Sequence, residues 1–303
     1  AFQNYLDTRN ELYFDVKSMY AELYELKKMI ELEEQNQSIL NNYKELALSK
    51  FRNGKGAMVD VIRIDIKRNE SLTNIQLLQD KNYPLQVAFN NMLNRGVEEM
   101  INIPSTLLIE TYHDAIINDN IFVSNPKLVK LDKQKAAFEA QKIVAKKEGF
   151  PMIGFGLDYS IISKRDVENF EMNGQDAIMP MLTVTLPIFR KKYKAAEKEM
   201  DFMLEATGYE QQAIKNNLTS SFKIAEYELT KAGKLIDLYK DQTERTEQAI
   251  ILLLSTYSNS NTDFEEILRM NQDLLMYQTA TTTEIKNQFT AQSKIDYLLS
   301  KEE

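Results

Sequence analysis

The sequence has 303 residues, 45 acidic against 37 basic side chains, a net charge of −8, only 9 glycines and 6 prolines, and no cysteine. Disulfides, thiolate metal sites and cysteine nucleophiles are excluded, and the acidic balance argues against a phosphate-binding surface and so against nucleic acid as a partner. A histidine-rich zinc site or a Ser-His-Asp relay would rest on His113 alone, and no run of about 18 apolar residues offers a transmembrane helix.

Ala1-Phe-Gln-Asn-Tyr5 already reads as helix interior, with no signal peptide. Either processing has removed a segment or the chain is a fragment, and the internal repeat described below favours a fragment. Apolar residues then recur at three- and four-residue steps through Met19, Leu23, Leu26 and Ile30, and again at Leu40 and Tyr43, which predicts a long amphipathic helix. Asn53-Gly-Lys-Gly56 supplies the positive-φ positions of a tight reversal. A second helix is expected from about Met58 to Leu93, through Val61, Ile62, Ile66, Leu72, Ile75 and Leu78, completing an αα-hairpin. Pro84 lies inside it and is expected to kink or break it. Residues 96–124 read as a short helix and a connection containing Pro104. Asn125-Pro126 then provides an N-cap and first position for a helix that runs to about Glu148 and stops at Gly149-Phe-Pro151.

After Pro151 the period changes to two. Ile153, Phe155, Leu157, Tyr159 and Ile161 alternate with Gly154, Gly156, Asp158 and Ser160. A polar insert from Ser163 to Ala177 contains Lys164, Arg165, Asp166 and the turn pair Asn173-Gly174. A second alternating run sets Leu182, Val184, Leu186 and Ile188 against Thr183 and Thr185. Each run is about ten residues, enough for a tilted strand to cross a bilayer with one face to lipid and one to a wet lumen. Periodicity alone favours a hairpin half-buried on a soluble core. The hairpin's position between very long helices, with no other sheet to join, favours the membrane reading. Arg190-Lys-Lys-Tyr-Lys194 then opens the next long helix.

Two stretches match without gaps at an offset of 206 residues, Phe51 falling on Tyr257. Met29-Ile-Glu-Leu-Glu33 lies over Leu235-Ile-Asp-Leu-Tyr239, Leu46-Ala-Leu-Ser49 over Leu252-Leu-Leu-Ser255, and Val61-Ile-Arg63 over Ile267-Leu-Arg269. Matched polar positions point to duplication, because heptad chance accounts only for the apolar ones. The expected organisation is a first helical hairpin at 1–95, a connecting segment at 96–124, and a second repeat at 125–303. That repeat comprises a helix, a β-hairpin at 152–189 and a helical hairpin at 190–299.

These residues resemble the TolC-type outer-membrane efflux family over nearly the whole chain. Two segments carry the resemblance. One runs from Asn125-Pro-Lys-Leu128 through Gly149-Phe-Pro151 and the strand pair to Leu186-Pro-Ile-Phe189; the other is the tip Phe51-Arg-Asn-Gly54 with Val59-Asp-Val61, echoed from Tyr257 to Ile267. The resemblance implies a mainly α protein with a β-hairpin, in which long antiparallel coiled-coil helices form an α-barrel and strands join a trimeric transmembrane β-barrel. It implies a homotrimer in the bacterial outer membrane that extends into the periplasm, with each protomer giving four strands to a shared twelve-stranded barrel. It also implies a passive conduit and no enzyme or cofactor, fed by an inner-membrane pump through a periplasmic adaptor protein. The exported cargo would be small molecules or metal ions. By the repeat offset, position 1 corresponds to Thr207, past the strand hairpin, so the first repeat's hairpin is expected to be missing from this chain. A trimer would then hold only six strands, too few for an open pore.

The resemblance places the periplasmic aperture at Tyr257 and Glu266, with Asp60 as the first-repeat counterpart. A ring of three carboxylates there would repel one another and attract cations. The family's second acidic position is Arg269 here, and the alternative reading is a Glu266–Arg269 pair at i,i+3 on a solvated helix face. Ser260 replaces the expected tip glycine. Adaptor contacts are expected at the tips, Asn53, Gly54, Lys55 and Gly56 in one copy and Asn259, Ser260 and Asn261 in the other, against the alternative of plain exposed turns.

Arg190, Lys191, Lys192 and Lys194 fall where a strand leaves the membrane, either meeting outer-membrane lipid headgroups or opening a solvated helix. His113 reads as a surface or packing residue before a metal ligand. Gly154-Phe-Gly156 lies within an alternating strand with no lysine of a phosphate loop after it, so it is not a nucleotide site. Met172, Met179 and Met181 suit soft ions as thioether ligands, though lipid-facing or loop filler fits them as well. Gly156-Leu-Asp-Tyr159 and Ile188-Phe-Arg-Lys-Lys-Tyr193 lean toward the heavy-metal efflux branch. The rival reading is a soluble coiled-coil scaffold or adaptor of the cell envelope.

Overall fold

The structure is a computed structural model that describes residues 1–109, 121–164, 166, 174–259 and 264–301. Among the described residues five helices and two strands follow in order: α1 (Phe2–Arg52), α2 (Met58–Met92), α3 (Pro126–Glu148), β1 (Met152–Ser160), β2 (Ala177–Thr185), α4 (Arg190–Asn259) and α5 (Phe264–Leu299). Helices α2 and α5 begin at equivalent points of the two sequence copies, Met58 and Phe264. Among the described residues no helix is long and apolar enough to cross a membrane.

Contacts divide the chain into two compact units, Ala1–Pro126 with Asn216–Glu303, and Lys127–Lys215. These units cut across the sequence repeats, because the last part of α4 and all of α5 pack with the first helical hairpin. In the larger unit α1 packs against both α2 and α5. Leu40, Tyr43 and Ala47 of α1, Val61 and Ile64 of α2, Tyr257 of α4, and Phe264, Ile267 and Leu268 of α5 close one apolar core near the helix reversals. Further along, the Lys294 ammonium of α5 sits 4.6 Å from the ring of Phe14 and 4.7 Å from that of Tyr297, joining α1 to α5 by cation–π attraction.

Above the tip core lies a polar layer. The Glu33 carboxylate accepts from Ser71 at 2.8 Å and Asn74 at 3.1 Å, and the buried Asn271 donates to Asn36 at 2.8 Å. This layer ties α1, α2 and α5 at one level. A buried polar layer satisfied in only one alignment disfavours slipped registers of otherwise interchangeable apolar helices.

Several expectations change in the structure. Helix α2 does not break at Pro84 but continues to Met92. Its last turns are clamped from outside, because Tyr83 donates to Glu98, Gln86 to the Glu99 carbonyl, and Asn90 to the Val97 and Glu99 carbonyls. These ties compensate the hydrogen bond that the proline cannot make. Residues 96–109 are turns, bends and irregular backbone, fastened to α1 by Tyr20 donating to Asn102 O and Lys27 to Ile103 O. The short helix expected within 96–124 is therefore not found among the described residues of that segment. His113, Arg165, Met172, Asn173, Ser260 and Asn261 lie outside the described residues.

At the first reversal Gly54 adopts φ +69°, the left-handed conformation that a side chain resists. Gly56 serves differently: a Cβ there would meet Lys50 Cβ at 3.0 Å and the Phe51 nitrogen at 3.2 Å, so its role is close approach.

Candidate membrane hairpin and helical tip

Two places bear on function, and each belongs to its own unit. In the smaller unit Gly149 and Phe150 turn the chain out of α3, their amides donating to the Lys146 and Lys147 carbonyls at 3.2 and 3.0 Å. Pro151 forbids helix continuation, and β1 begins at Met152. β1 pairs antiparallel with β2 in the register Ile153↔Val184, Phe155↔Leu182, Leu157↔Pro180 and Tyr159↔Ile178. Side chains alternate across a sheet, so these eight residues share one continuous apolar face. The other face pairs Gly154 with Thr183, Gly156 with Met181, and Asp158 with Met179.

No described residue covers the apolar face: Phe155 is 87% exposed, and Ile153, Leu157, Leu182 and Val184 are all exposed. An uncovered aromatic and aliphatic patch of this kind marks an interaction surface. Both outer edges of the two-stranded sheet are also unpaired by any described strand. β2 starts at Ala177, earlier than the alternation from Leu182 suggested, because pairing with β1 draws Ala177–Met181 into the ladder. Met179 and Met181 therefore stand in the strand on the face opposite the apolar one, and are neither loop filler nor part of the lipid-type surface. At the far end of the hairpin, Asp176 accepts from the Tyr159 hydroxyl and from the Ile162 amide, which fixes the loop entry.

The tip lies in the larger unit. Tyr257 is 3% exposed, its ring 4.9 Å from that of Phe264, which meets Tyr43 edge-on at 5.7 Å. Lys50 of α1 covers it: the ammonium donates to the Tyr257 carbonyl and lies 4.3 Å from the ring centroid. The Tyr257 hydroxyl has no hydrogen-bond partner among the described residues. Burial, and then the negative charge of Asp60, raise its pKa above the ordinary phenol value.

Asp60 is itself nearly buried and stands in the first turn of α2, where a carboxylate complements the helix dipole. Arg63 lies 4.0 Å from Asp60 and 2.9 Å from Glu265 of α5, bridging the two helices. Glu266 pairs with Arg269 at 2.6 Å, both partly exposed, as the i,i+3 alternative anticipated. The structure thus brings Tyr257 and Asp60 together inside the tip core and keeps Glu266 and Arg269 as a surface pair. Of the tip positions, Gly54 and Lys55 carry turn hydrogen bonds to Phe51 O and Lys50 O, and Asn53 Nδ2 donates to Ser49 O. Asn259 ends α4.

Sequence reasoning did not single out Lys50, Phe264 or the Arg63–Glu265 bridge. Their partners lie far away in sequence, and no local pattern announces them.

Among the described residues no group of three or more histidine or acidic side chains is placed to hold a metal ion. No family model matches the chain, and no curated protein is similar to it in sequence. Solved structures are. The outer-membrane channel OprN superposes with a TM-score of 0.82 at 16% identity, over 98% of this chain and 67% of its own. This is the TolC-type channel fold. VceC of Vibrio cholerae gives 0.82 at 14% identity, over 98% of this chain and 71% of its own. The open-state channel MtrE of Neisseria gonorrhoeae gives 0.74 at 13%, over 98% and 69%. Across such structures the chain spans 64 to 71% of the partner's length. Within the TolC-type fold, the paired long helices and the strand hairpin of this chain thus have counterparts in channels that reside in an outer membrane.

Proposed function

We propose that this chain belongs to a subunit of a homotrimeric outer-membrane channel in a tripartite efflux system. Such a channel passively exports small molecules or metal ions that an inner-membrane pump delivers through a periplasmic adaptor. The observation that carries the reading is the β-hairpin, whose nine-residue strands present one uncovered apolar face and one face of Gly, Thr, Asp and Met. Two strands with open edges are unstable in lipid, because each unpaired backbone group costs several kcal/mol there. The edges must therefore be met by strands of other segments or other protomers, as in a closed barrel. In this reading Ile153, Phe155, Leu157 and Leu182 face lipid, and Gly154, Gly156, Thr183 and Asp158 face water.

The tip is read as the periplasmic closure. Asp60, Tyr257, Glu266 and Arg269 are proposed to border the aperture, and the reversals at Asn53–Gly56 and Asn259–Asn261 to meet the adaptor. The buried Asp60, with Arg63 4.0 Å away, and the Glu266–Arg269 pair supply that place with charge already partly neutralised within one protomer.

The deciding experiment is to add the purified full-length protein to planar lipid bilayers. Discrete, long-lived conductance steps support the conduit. A water-soluble, monodisperse protein that never conducts would support the coiled-coil scaffold instead.

A further inference from the structure

The feet of the hairpin carry a collar of six cations. Lys146 and Lys147 close α3, and Arg190, Lys191, Lys192 and Lys194 open α4. All six are exposed. The two feet lie side by side, since a Cβ on Gly149 would come 3.5 Å from Tyr193 Cβ. None of the six forms an ion pair with a described carboxylate, whereas Lys142, about one turn earlier on α3, is matched to Asp201 at 2.5 Å.

Helix electrostatics favour Lys146 and Lys147 in the last turn of α3 but oppose the four cations that open α4. Cations in a first turn face the positive end of the helix dipole, and the first turn of α4 holds no acidic residue. Helices α2 and α5 do the reverse, with Asp60 opening α2 and Glu265 and Glu266 opening α5. Four of these charges disfavour their own helix, and six cations without a described carboxylate partner, clustered in a chain of net charge −8, call for an anion from outside. The collar also adjoins Phe150 at 58% and Phe189 at 84% exposed, with Tyr193 beside them. Aromatic rings of this kind gather where hydrocarbon meets headgroups. At the other end of the hairpin the described loop residues Lys164, Asp166 and Asp176 are of mixed sign, so the collar is a feature of one end alone.

Resting on the membrane reading above, we infer that these six side chains form a binding collar for the phosphate headgroups of anionic phospholipids. The Arg190 guanidinium offers a two-pronged match to a phosphodiester, and the lysines add point charges at the same level. A zwitterionic headgroup carries its own cation and leaves the collar's charge unmet, so the site prefers a lipid of net negative charge. A lipid held there would also fix how deeply the strands sit in the bilayer.

The test uses the assembled full-length protein in vesicles containing trace spin-labelled lipid, read by electron paramagnetic resonance. Labelled phosphatidylglycerol should be immobilised in preference to labelled phosphatidylcholine. Each single Lys→Gln or Arg190→Gln change should lower that preference by about two- to fivefold at low salt, and replacing all six by Gln should bring it to parity. The charge-preserving pair Lys192→Arg and Lys194→Arg should retain it, which separates charge from misfolding. Parity in the unmodified protein would overturn the collar while leaving the membrane reading standing, as would a preference that survives all six substitutions. Competition by inorganic phosphate beyond that of chloride at equal ionic strength would overturn it in favour of a free-anion site. Failure to immobilise either lipid would remove the membrane reading and the collar together.

Discussion

Met181 and Leu182 are sequence neighbours in the middle of β2, at the same depth and on opposite faces of the hairpin. Both are open within the chain, at 53% and 66% exposure, so replacing either by lysine removes little packing that the chain itself provides. Any difference between Met181→Lys and Leu182→Lys must come from what the assembled sheet faces. Nine residues at about 3.3 Å each span about 30 Å, or roughly 23 Å once tilted at about 40°, close to the apolar band of an outer-membrane barrel. Leu182 then sits near the bilayer midplane, where a lipid-facing lysine costs about 2–4 kcal/mol. Met181 faces the lumen, where lysine is hydrated and should cost less than about 1 kcal/mol. The assay is urea unfolding of the full-length protein in lipid vesicles, with trimer yield as a second readout. Equal penalties, or a larger one for Met181→Lys, would refute the assignment of faces.

The helical unit yields further expectations. Phe264 is fully buried between Tyr43 and Tyr257, so Phe264→Ala should cost about 3–5 kcal/mol and speed amide exchange around Tyr43–Ala47 and Val61–Ile64. Unchanged exchange there would show that the tip core is not built around this ring. Burial pushes Tyr43 up to about 12 from its usual 10, so the folded state keeps a proton that the unfolded chain loses. That contribution is fully present below pH 10 and disappears as pH climbs toward 12. Tyr43→Phe should flatten the decline in thermal stability over this interval. In the polar layer Asn271→Ala should leave the Asn36 side-chain oxygen without its donor and cost about 1–3 kcal/mol. The double change Asn36→Leu with Asn271→Leu should be close to neutral in melting temperature, and a cycle showing simple additivity would argue against coupling.

Much of this architecture was legible in the residue pattern because it depends on local chemistry. Gly54 demanded a positive φ, Asn125-Pro126 opened a helix, Pro151 ended one, and the zigzag from Ile153 to Tyr159 set two faces that the register with β2 preserves. What stayed hidden depends on contacts distant in sequence. Pro84 looked like a break, yet the turns around it are held by residues 97–99, which no reading of α2 alone contains. Ala177–Met181 did not look like a strand, since Pro180 and two methionines blur the alternation. Asp60, a carboxylate, and Tyr257, a phenol, are residue types expected at water, and only the packing of α1, α4 and α5 puts them inside. Lys50 closes on the Tyr257 carbonyl across most of the chain's length, a partnership that a one-dimensional pattern cannot express.

The most direct test exploits the absence of cysteine. Single cysteines introduced in turn from Ile153 to Tyr159 in the full-length protein, in intact outer membranes, can be challenged with a charged, membrane-impermeant thiol reagent. The account predicts labelling that alternates residue by residue, with positions 154, 156 and 158 modified and 153, 155, 157 and 159 protected. Uniform labelling along the strand, or the inverse alternation, would contradict it.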